Sequence, residues 1–189
     1  MSEAFHDDET FQTSVFLQKL KASATLPKTA APEPTLYYPI FTAAQENNES
    51  VIVIAPSGKL SGTVRSAQSA AQDFPGLDVR IIDSLTISCN LGAMVLKAHD
   101  LAGVGQPMEV IEARINEMIP RGRLYFVPDT LEYLAKGGRI GGAKALLGEL
   151  IQIKPILQIR DGQAEPCEQQ RTRRRSLARL EEIVEAQCP

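Results

Sequence analysis

The feature that most constrains the fold is an uninterrupted apolar run, Val51-Ile-Val-Ile-Ala55, which is followed by a glycine- and serine-containing loop and a helical pattern over residues 61–74. Such a run predicts a strand that is buried on both faces, which is the usual situation in a parallel sheet. A second strand pattern, Val79-Arg-Ile-Ile-Asp83, comes next. Strand, helix and strand in this order predict a doubly wound α/β unit with a parallel sheet.

Apolar residues at helical spacing predict further helices around this unit. They cover residues 10–21, residues 36–45, Leu91 to Ala102 and Met108 to Ile119. Between the first two lies Ala24 to Pro34, which contains three prolines. Because proline fixes its backbone and cannot continue a helix, we expect an extended loop there.

A second part of the chain begins near Gly122. Leu124 to Val127 predicts a strand, and Asp129 with Glu132 resembles a capping box at the start of a helix. That helix is expected to end at Lys136-Gly137-Gly138, because glycine favours a helix exit. Residues 143–150 predict a short helix.

The remaining segments predict a hairpin and a final helix. Residues 153–159 alternate, and Pro155 indicates an edge or bulged strand. Asp161-Gly162 is a hairpin turn signal. The last helix, residues 171–186, is expected to turn three apolar residues inward: Leu177, Leu180 and Val184. We therefore predict a domain of residues 1–120 and a smaller, partial α/β domain of residues 121–189.

Composition excludes several classes of function. The 189 residues are 43% apolar, enough for a sizeable core, and the net charge of −3 gives no whole-chain attraction to nucleic acid. Three separated cysteines (Cys89, Cys167, Cys188) form no CxxC pair, so neither a zinc knuckle nor a disulfide framework is indicated. The acidic N-terminus does not resemble a signal peptide, and no apolar run reaches membrane length. We expect a cytoplasmic protein without metal or cofactor.

The segment from Ser57 to Thr63 is the most informative for chemistry. It lies between a buried strand and a helix start, where free N–H groups and the helix dipole favour an anion. Ser61 and Thr63 add hydroxyl groups, and Gly62 allows a close approach to the backbone. The alternative is that Ser61 is only a helix cap. Gly58-Lys59 is followed by Leu60, so the segment is not a nucleotide phosphate loop.

Other polar residues are open to two interpretations. Thr29 is either a ligand-facing hydroxyl on the proline-containing loop or a plain loop threonine. Asp83-Ser84 ends the second strand and is either a ligand contact or a structural turn. The basic cluster Arg171-Thr-Arg-Arg-Arg175 is either solvated or faces an acidic partner. His99 is expected at the surface, and His6 lies in the acidic N-terminus.

Together these stretches resemble the DegV family of bacterial fatty-acid-binding proteins. The matching residues are Leu60-Ser-Gly-Thr63, Ile82-Asp-Ser84, the block from Leu124 to Ile140 (LYFVPDTLEYLAKGGRI), Leu147-Gly148, Ile153-Lys-Pro-Ile-Leu157 and Arg171-Thr-Arg173. The resemblance implies a carrier that holds one long-chain fatty acid in an apolar tunnel between two α/β domains. It also implies a partner fatty-acid kinase, to which the carrier presents the carboxylate, and at most transient membrane contact. By the same analogy, Thr29 and Ser61 meet the carboxylate, supported by the Gly62 backbone. The predicted ligand-binding residues also include Thr63 and Ser57.

The sequence departs from the family pattern in three places. The first family strand and the later C-terminal region have no counterpart here, so we expect an unpaired sheet edge and unpaired apolar surface. We predict that such a chain is either marginally stable or forms a homodimer that covers this surface. The loop reads Lys28-Thr-Ala-Ala-Pro-Glu33 where small polar residues are common in the family. Glu33, if it points inward, would repel a carboxylate.

Two other functions therefore compete with the carrier. The first is a truncated DegV-like remnant or interaction module that no longer binds lipid. The second is an enzyme with Ser61 as nucleophile, which the missing G-x-S-x-G motif and the scarcity of histidine argue against.

Overall fold

The structure is a computed structural model that describes residues 12–147, except residue 24, and residues 153–187. The first part contains α1 (Thr13–Ala22), α2 (Tyr38–Glu46), β1 (Val51–Ala55), α3 (Thr63–Gln72), β2 (Val79–Asp83), α4 (Ser88–Gly103) and α5 (Met108–Met118). The second part contains β3 (Tyr125–Phe126), α6 (Glu132–Lys136), β4 (Lys154–Arg160), β5 (Gln163–Gln170) and α7 (Arg173–Gln187). Short 3₁₀ helices cover Pro34–Tyr37, Ile119–Arg121 and Gly141–Leu146.

The strands β1 and β2 pair in parallel, with Val51 opposite Val79 and Ala55 opposite Asp83. The helices α4 and α5 pack on this pair through one core cluster: Ile82, Met94, Ile111 and Ile115. The helix α3 buries Ala67 and Ala70 and also contacts both strands. This is the mixed α/β fold with a parallel sheet that the sequence predicts.

One detail of β1 differs from the prediction. Residues 51–54 are only half-buried, and Ala55 alone in this strand is buried. The reason is that β2 pairs with one edge of β1, while the other edge has no neighbouring strand within the described ranges. Helices cover the two faces of a parallel sheet, and a strand with a neighbour on one edge only remains accessible from its open edge.

The second sheet is antiparallel, in the order β3-β4-β5. Its β4 strand has a register irregularity against β5 between Ile156 and Leu157, directly after Pro155. The β3 strand pairs only with Leu157 and Gln158, so at these two residues β4 lies between β3 and β5. At Pro155, β4 pairs with β5 but not with β3. The extra residue of this irregularity is Cys167 on β5, so the expected bulge does not lie on β4 itself. At Pro155 the β4 strand has a partner strand on one side only within the described ranges, which matches the expected edge position, and the missing N–H costs no bond to β3.

The turn between β4 and β5 is Asp161-Gly162, as predicted. Both residues have positive φ, 49° and 82°. Positive φ at both central residues is the geometry of a type I′ hairpin turn, which matches the twist of the flanking strands.

The start of α6 differs from the expected capping box. The helix begins at Glu132, after Leu131, and the Glu132 N–H donates to the Thr130 hydroxyl at 3.1 Å. Asp129 instead pairs with Arg173. The glycine exit is confirmed, because Gly137 follows the last helical residue and Gly138 has φ 73°. The predicted helix of residues 143–150 is a 3₁₀ helix that ends at Leu146, and residues 148–150 lie outside the described range.

The predicted inward face of α7 is wrong. Leu177 and Val184 are 41% and 44% exposed, and Leu180 is half-buried. Ser176 and Ile183 face inward instead. The Ser176 hydroxyl donates to the Lys154 carbonyl at 2.8 Å, and this bond to β4 fixes the rotation of the helix.

The first helix is confirmed from Thr13 to Ala22, and the predicted residues 10 and 11 lie outside the described range, as do His6 and Cys188. None of the helices in the described ranges is long and apolar enough to cross a bilayer.

Candidate functional site

The loop from β1 to α3 forms a compact turn. The Ser57 carbonyl accepts hydrogen bonds from the N–H groups of Leu60, at 2.9 Å, and Ser61, at 3.0 Å. The Ser57 N–H donates to the Thr86 carbonyl at 2.8 Å, which ties this loop to the loop after β2. The turn therefore delivers residues 61–63 to the carboxyl-end edge of the parallel sheet, where α/β folds place their ligands.

Two hydroxyl groups lie together at the start of α3. The Ser61 and Thr63 hydroxyl oxygens are 2.8 Å apart, and the Thr63 N–H donates to the Ser61 hydroxyl at 3.3 Å. Gly62 occupies the cap position itself. Among the described residues, the N–H groups of Val64 and Arg65 have no acceptor, as is usual in the first turn of a helix. Ser61 is therefore a local cap partner and also a hydroxyl beside free helix N–H groups.

The proline-containing loop packs against this helix start. A side chain at Gly62 would place its Cβ 3.2 Å from the Ala31 Cβ, and the Ser66 hydroxyl donates to the Pro32 carbonyl. Thr29 is exposed and lies two residues before Ala31. Two residues span at most about 7 Å. The structure thus brings the Thr29 segment beside Gly62, without a hydrogen bond between Thr29 and Ser61.

Asp83 has a structural role at this edge. Its carboxylate accepts hydrogen bonds from the Gly58 N–H, at 3.1 and 3.2 Å, and from the Leu85 N–H, at 2.9 Å. Of the two interpretations, a turn aspartate and a ligand contact, the geometry matches the first. Ser84 is buried and its hydroxyl donates to the Thr86 carbonyl at 3.3 Å, which fits the same interpretation.

Ser57 is fully buried, and its hydroxyl is already engaged. It donates to the Gly162 carbonyl at 2.6 Å and accepts from the Lys59 N–H at 3.2 Å. A Cβ on Gly162 would lie 2.5 Å from the Ser57 hydroxyl oxygen. Ser57 therefore joins the loop of the first sheet to the hairpin of the second, rather than opening toward solvent.

Two further residues connect the loop between β1 and α3 to the second part of the chain: Gly162 and Arg139. Sequence patterns identify Gly162 only as a turn residue and give no signal for Arg139. The Arg139 guanidinium donates to the Leu60 carbonyl at 3.2 Å and to the Gly137 carbonyl at 2.6 Å. The Asp-Gly signal locates the turn, but no local pattern encodes a contact to a loop 105 residues away.

The basic cluster before α7 is largely solvated. Arg171, Arg174 and Arg175 are exposed, and Arg173 pairs with Asp129. Further along, the Arg179 guanidinium forms two hydrogen bonds of 2.8 Å to Glu168. These bonds hold the pKa of the Glu168 carboxyl below its ordinary value. Arg179 therefore joins α7 to β5, whereas the cluster itself contributes the Arg173–Asp129 pair and presents its other arginines to solvent.

His99 is exposed on α4, as predicted. Within the described ranges, the side-chain hydrogen-bond partner of Ser61 is Thr63, and no histidine takes part. No group of three residues suited to holding a metal ion occurs in the part of the chain that the structure describes.

Fold and site together define an α/β protein with two sheets and a polar site at a helix N-terminus, where the two sheets meet. The sequence model described as "Uncharacterised protein, DegV family" matches residues 2–188. This chain belongs to the DegV family.

Individual relatives agree with this assignment. A DegV domain-containing protein of Deinococcus radiodurans is 36% identical over 182 residues, which is 96% of this chain and 64% of the relative. A solved DegV protein of Thermus thermophilus, whose structure concerns fatty-acid binding, is 36% identical with a TM-score of 0.87, over 95% of this chain and 64% of that one. The fatty acid kinase B3 protein of Streptococcus pneumoniae, loaded with linoleic acid, is 26% identical with a TM-score of 0.81. This match covers 95% of this chain and 65% of that one. The chain spans less than two thirds of each relative.

Proposed function

We propose that this chain binds one long-chain fatty acid and carries it without chemical change. The observation that carries the proposal is the pair of hydroxyls of Ser61 and Thr63, 2.8 Å apart, beside the free N–H groups at the start of α3. An anion at a helix N-terminus gains from both the N–H donors and the helix dipole. Solved relatives in the same family bind fatty acids, whose carboxylate is such an anion.

In this proposal each residue has a distinct role. Ser61 and Thr63 donate to the carboxylate, and Gly62 lets it approach the backbone. Thr29 completes the site from the adjacent loop. Ser57 is a positioning residue, because its hydroxyl is bonded to Gly162 and is fully buried.

The acyl chain supplies most of the affinity. Burial of one CH₂ contributes about 0.8 kcal/mol, so an ordinary long-chain tail gains on the order of 10 kcal/mol in an apolar tunnel before association costs. The hydroxyl groups orient the carboxylate, and each hydrogen bond to this charged group adds a smaller contribution of about 1.5 to 3 kcal/mol. A soluble carrier in the cytoplasm that presents the carboxylate to a fatty-acid kinase is the role that we infer.

Native mass spectrometry of the chain purified from a bacterial host, with solvent extraction of the bound material, tests the proposal. We expect one long-chain fatty acid per chain. The double variant Ser61→Ala with Thr63→Val should lose most of this ligand, since both hydroxyl donors are gone. Ser69→Ala is the matched control, because Ser69 is an exposed serine on the same helix.

The competing function is a DegV-like remnant or interaction module without lipid binding. A folded chain that is empty as purified and takes up neither oleate nor palmitate would establish that alternative. Retention of lipid by the double variant would instead show that another group holds the carboxylate.

A further inference from the structure

The Asp83 carboxylate lies between the loop that follows β1 and the loop that follows β2. The Gly58 N–H of the first loop donates to both of its oxygens, and the Leu85 N–H of the second loop donates to one of them. Its hydrogen-bond partners among the described residues are these backbone groups alone. One half-buried side chain therefore holds the backbone of both loops together.

The contact with Gly58 reaches the candidate site through a short, internally bonded turn. Gly58 lies between Ser57 and Ser61, and the Ser61 N–H donates back to the Ser57 carbonyl at 3.0 Å. A Cβ on Gly58 would lie 2.9 Å from an Asp83 carboxylate oxygen and 3.7 Å from a methyl carbon of Val64. Gly58 is thus packed between the carboxylate and the first turn of α3. A shift of Gly58 would therefore move the start of this helix.

The contact with Leu85 holds a backbone conformation that leucine rarely adopts. The φ of Leu85 is 50°, in the left-handed region, and such a conformation persists only where surrounding contacts hold it. The bond from the Leu85 N–H to Asp83 is one such contact, and a Leu85 methyl carbon lies 3.3 Å from the Cβ position of Gly162. Strained residues of this kind are concentrated at functional sites. Asp83 therefore also fixes the loop on which the hairpin turn rests.

We propose that Asp83 is a positioning residue for the fatty-acid carboxylate, acting through the loop that presents the Ser61 and Thr63 hydroxyls. This inference rests on the proposed function. The contact with Gly58 requires acceptors on both side-chain oxygens, and asparagine offers one oxygen and an NH₂ group. In Asp83→Asn one of the two positions beside the Gly58 N–H therefore becomes a donor, with almost no change in side-chain volume.

Charge and positioning make opposite predictions for this variant. If Asp83 acted only through its negative charge, Asp83→Asn would remove a repulsion and an anion would bind more tightly. If Asp83 holds the loop, the same variant weakens the binding of an anion, because the hydroxyl and N–H groups no longer converge on it. We expect the affinity for oleate to fall at least about fivefold, the effect of losing one ordinary hydrogen bond.

Competition between equimolar oleate and oleyl alcohol tests the proposal, with the bound lipid extracted and quantified by mass spectrometry. The two lipids have the same tail, so the ratio in which they bind isolates the contribution of the carboxylate. We expect Asp83→Asn to lower the ratio of oleate to oleyl alcohol at least about fivefold, whereas a general loosening of the fold would weaken both lipids equally. Asp100→Asn is the matched control, because Asp100 is an exposed aspartate on α4.

Two further measurements test whether Asp83 acts through the loop. In the background of Ser61→Ala with Thr63→Val, Asp83→Asn should lower the ratio by less than about twofold, because the hydroxyls that it positions are gone. In the chain without lipid, Asp83→Asn should accelerate amide hydrogen exchange at residues 58–64 at least about fivefold and leave exchange in β5 unchanged.

Failure of this inference can be distinguished from failure of the proposed function. A wild-type chain that takes up neither lipid overturns the proposed function, and with it any role of Asp83 in binding. A wild-type chain that prefers oleate, together with an Asp83→Asn variant whose preference is unchanged or stronger, overturns the role of Asp83 alone. Unchanged exchange at residues 58–64 does the same. Circular dichroism of each variant establishes that it remains folded.

Discussion

At the residue scale, Gly162 is the position where a single methyl group matters most. Its φ of 82° lies in the left-handed region, and a Cβ would lie 2.5 Å from the buried Ser57 hydroxyl oxygen. Two penalties therefore coincide at one residue: backbone strain and a steric conflict with a group that cannot leave its pocket without losing its hydrogen bond.

We expect Gly162→Ala to lower the free energy of unfolding by about 2 to 4 kcal/mol, as the sum of strain and overpacking. Urea denaturation measures the change. Gly138→Ala is the control for strain alone, because Gly138 has φ 73° and open space around its Cβ position. It should cost only about 1 kcal/mol. Equal losses in the two variants would show that the contact with Ser57 adds nothing.

At the element scale, α7 is attached to β5 through one charged pair. Arg179 bonds both oxygens of Glu168, and this bonding lowers the pKa of the Glu168 carboxyl from its ordinary value of 4.5. A carboxyl whose pKa is lower in the folded state stabilises the fold at pH values above its ordinary pKa. The stabilisation is lost as the pH falls through the lower folded-state pKa.

Arg179→Gln should therefore lower the free energy of unfolding most at neutral pH and little at acidic pH. Because both side chains are partly exposed, we expect a small decrease in the free energy of unfolding at pH 7, which shrinks as the pH falls below 4.5. Chemical denaturation at several pH values measures it. Arg174→Gln, an exposed arginine without a carboxylate partner in the described ranges, should show no such trend. A pH-independent loss for Arg179→Gln would assign the effect to packing.

Some elements follow from local sequence patterns, and others depend on contacts between elements that are distant in sequence. The strands β1 and β2 and the Asp161-Gly162 turn follow from local patterns, because apolar runs and positive-φ residues are local properties. The inward face of α7 does not, because a hydrogen bond from Ser176 to β4 sets its rotation. In the same way, Thr130 caps α6 because Asp129 is engaged by Arg173, a residue of another element.

At the scale of the whole molecule, the candidate site depends on how the two sheets meet. The position of residues 61–63 at a helix start directly after a strand could be predicted, since this is a local pattern. The burial of Ser57 could not be predicted, because its partner is 105 residues away. The role of Arg139 depends equally on a contact between the two parts of the chain.

The proposed carrier role predicts productive transfer of the bound fatty acid to an enzyme. When the oleate-loaded chain is mixed with a bacterial fatty-acid kinase and ATP, we expect transfer of the γ-phosphoryl group to a carboxylate oxygen, with release of ADP. Hydroxylamine converts the acyl phosphate to a hydroxamate that can be quantified. The variant Ser61→Ala with Thr63→Val should reduce the yield at least about tenfold, and Ser69→Ala should not. A yield no greater than that with free oleate would count against handover.

The short hydrogen bond between Ser57 and the hairpin turn also couples two equilibria: binding of a ligand at α3 and docking of the hairpin on the loop. The loop that leads to Ser61 begins near Ser57, and the Ser57 hydroxyl donates to the Gly162 carbonyl at 2.6 Å. Suppose that an anion bound at α3 favours one arrangement of this loop. It then stabilises the docked position of the hairpin by a certain free energy, and a hairpin that is not docked lowers the affinity for the anion by the corresponding factor. Amide hydrogen exchange at the β4–β5 turn would then slow when the ligand binds.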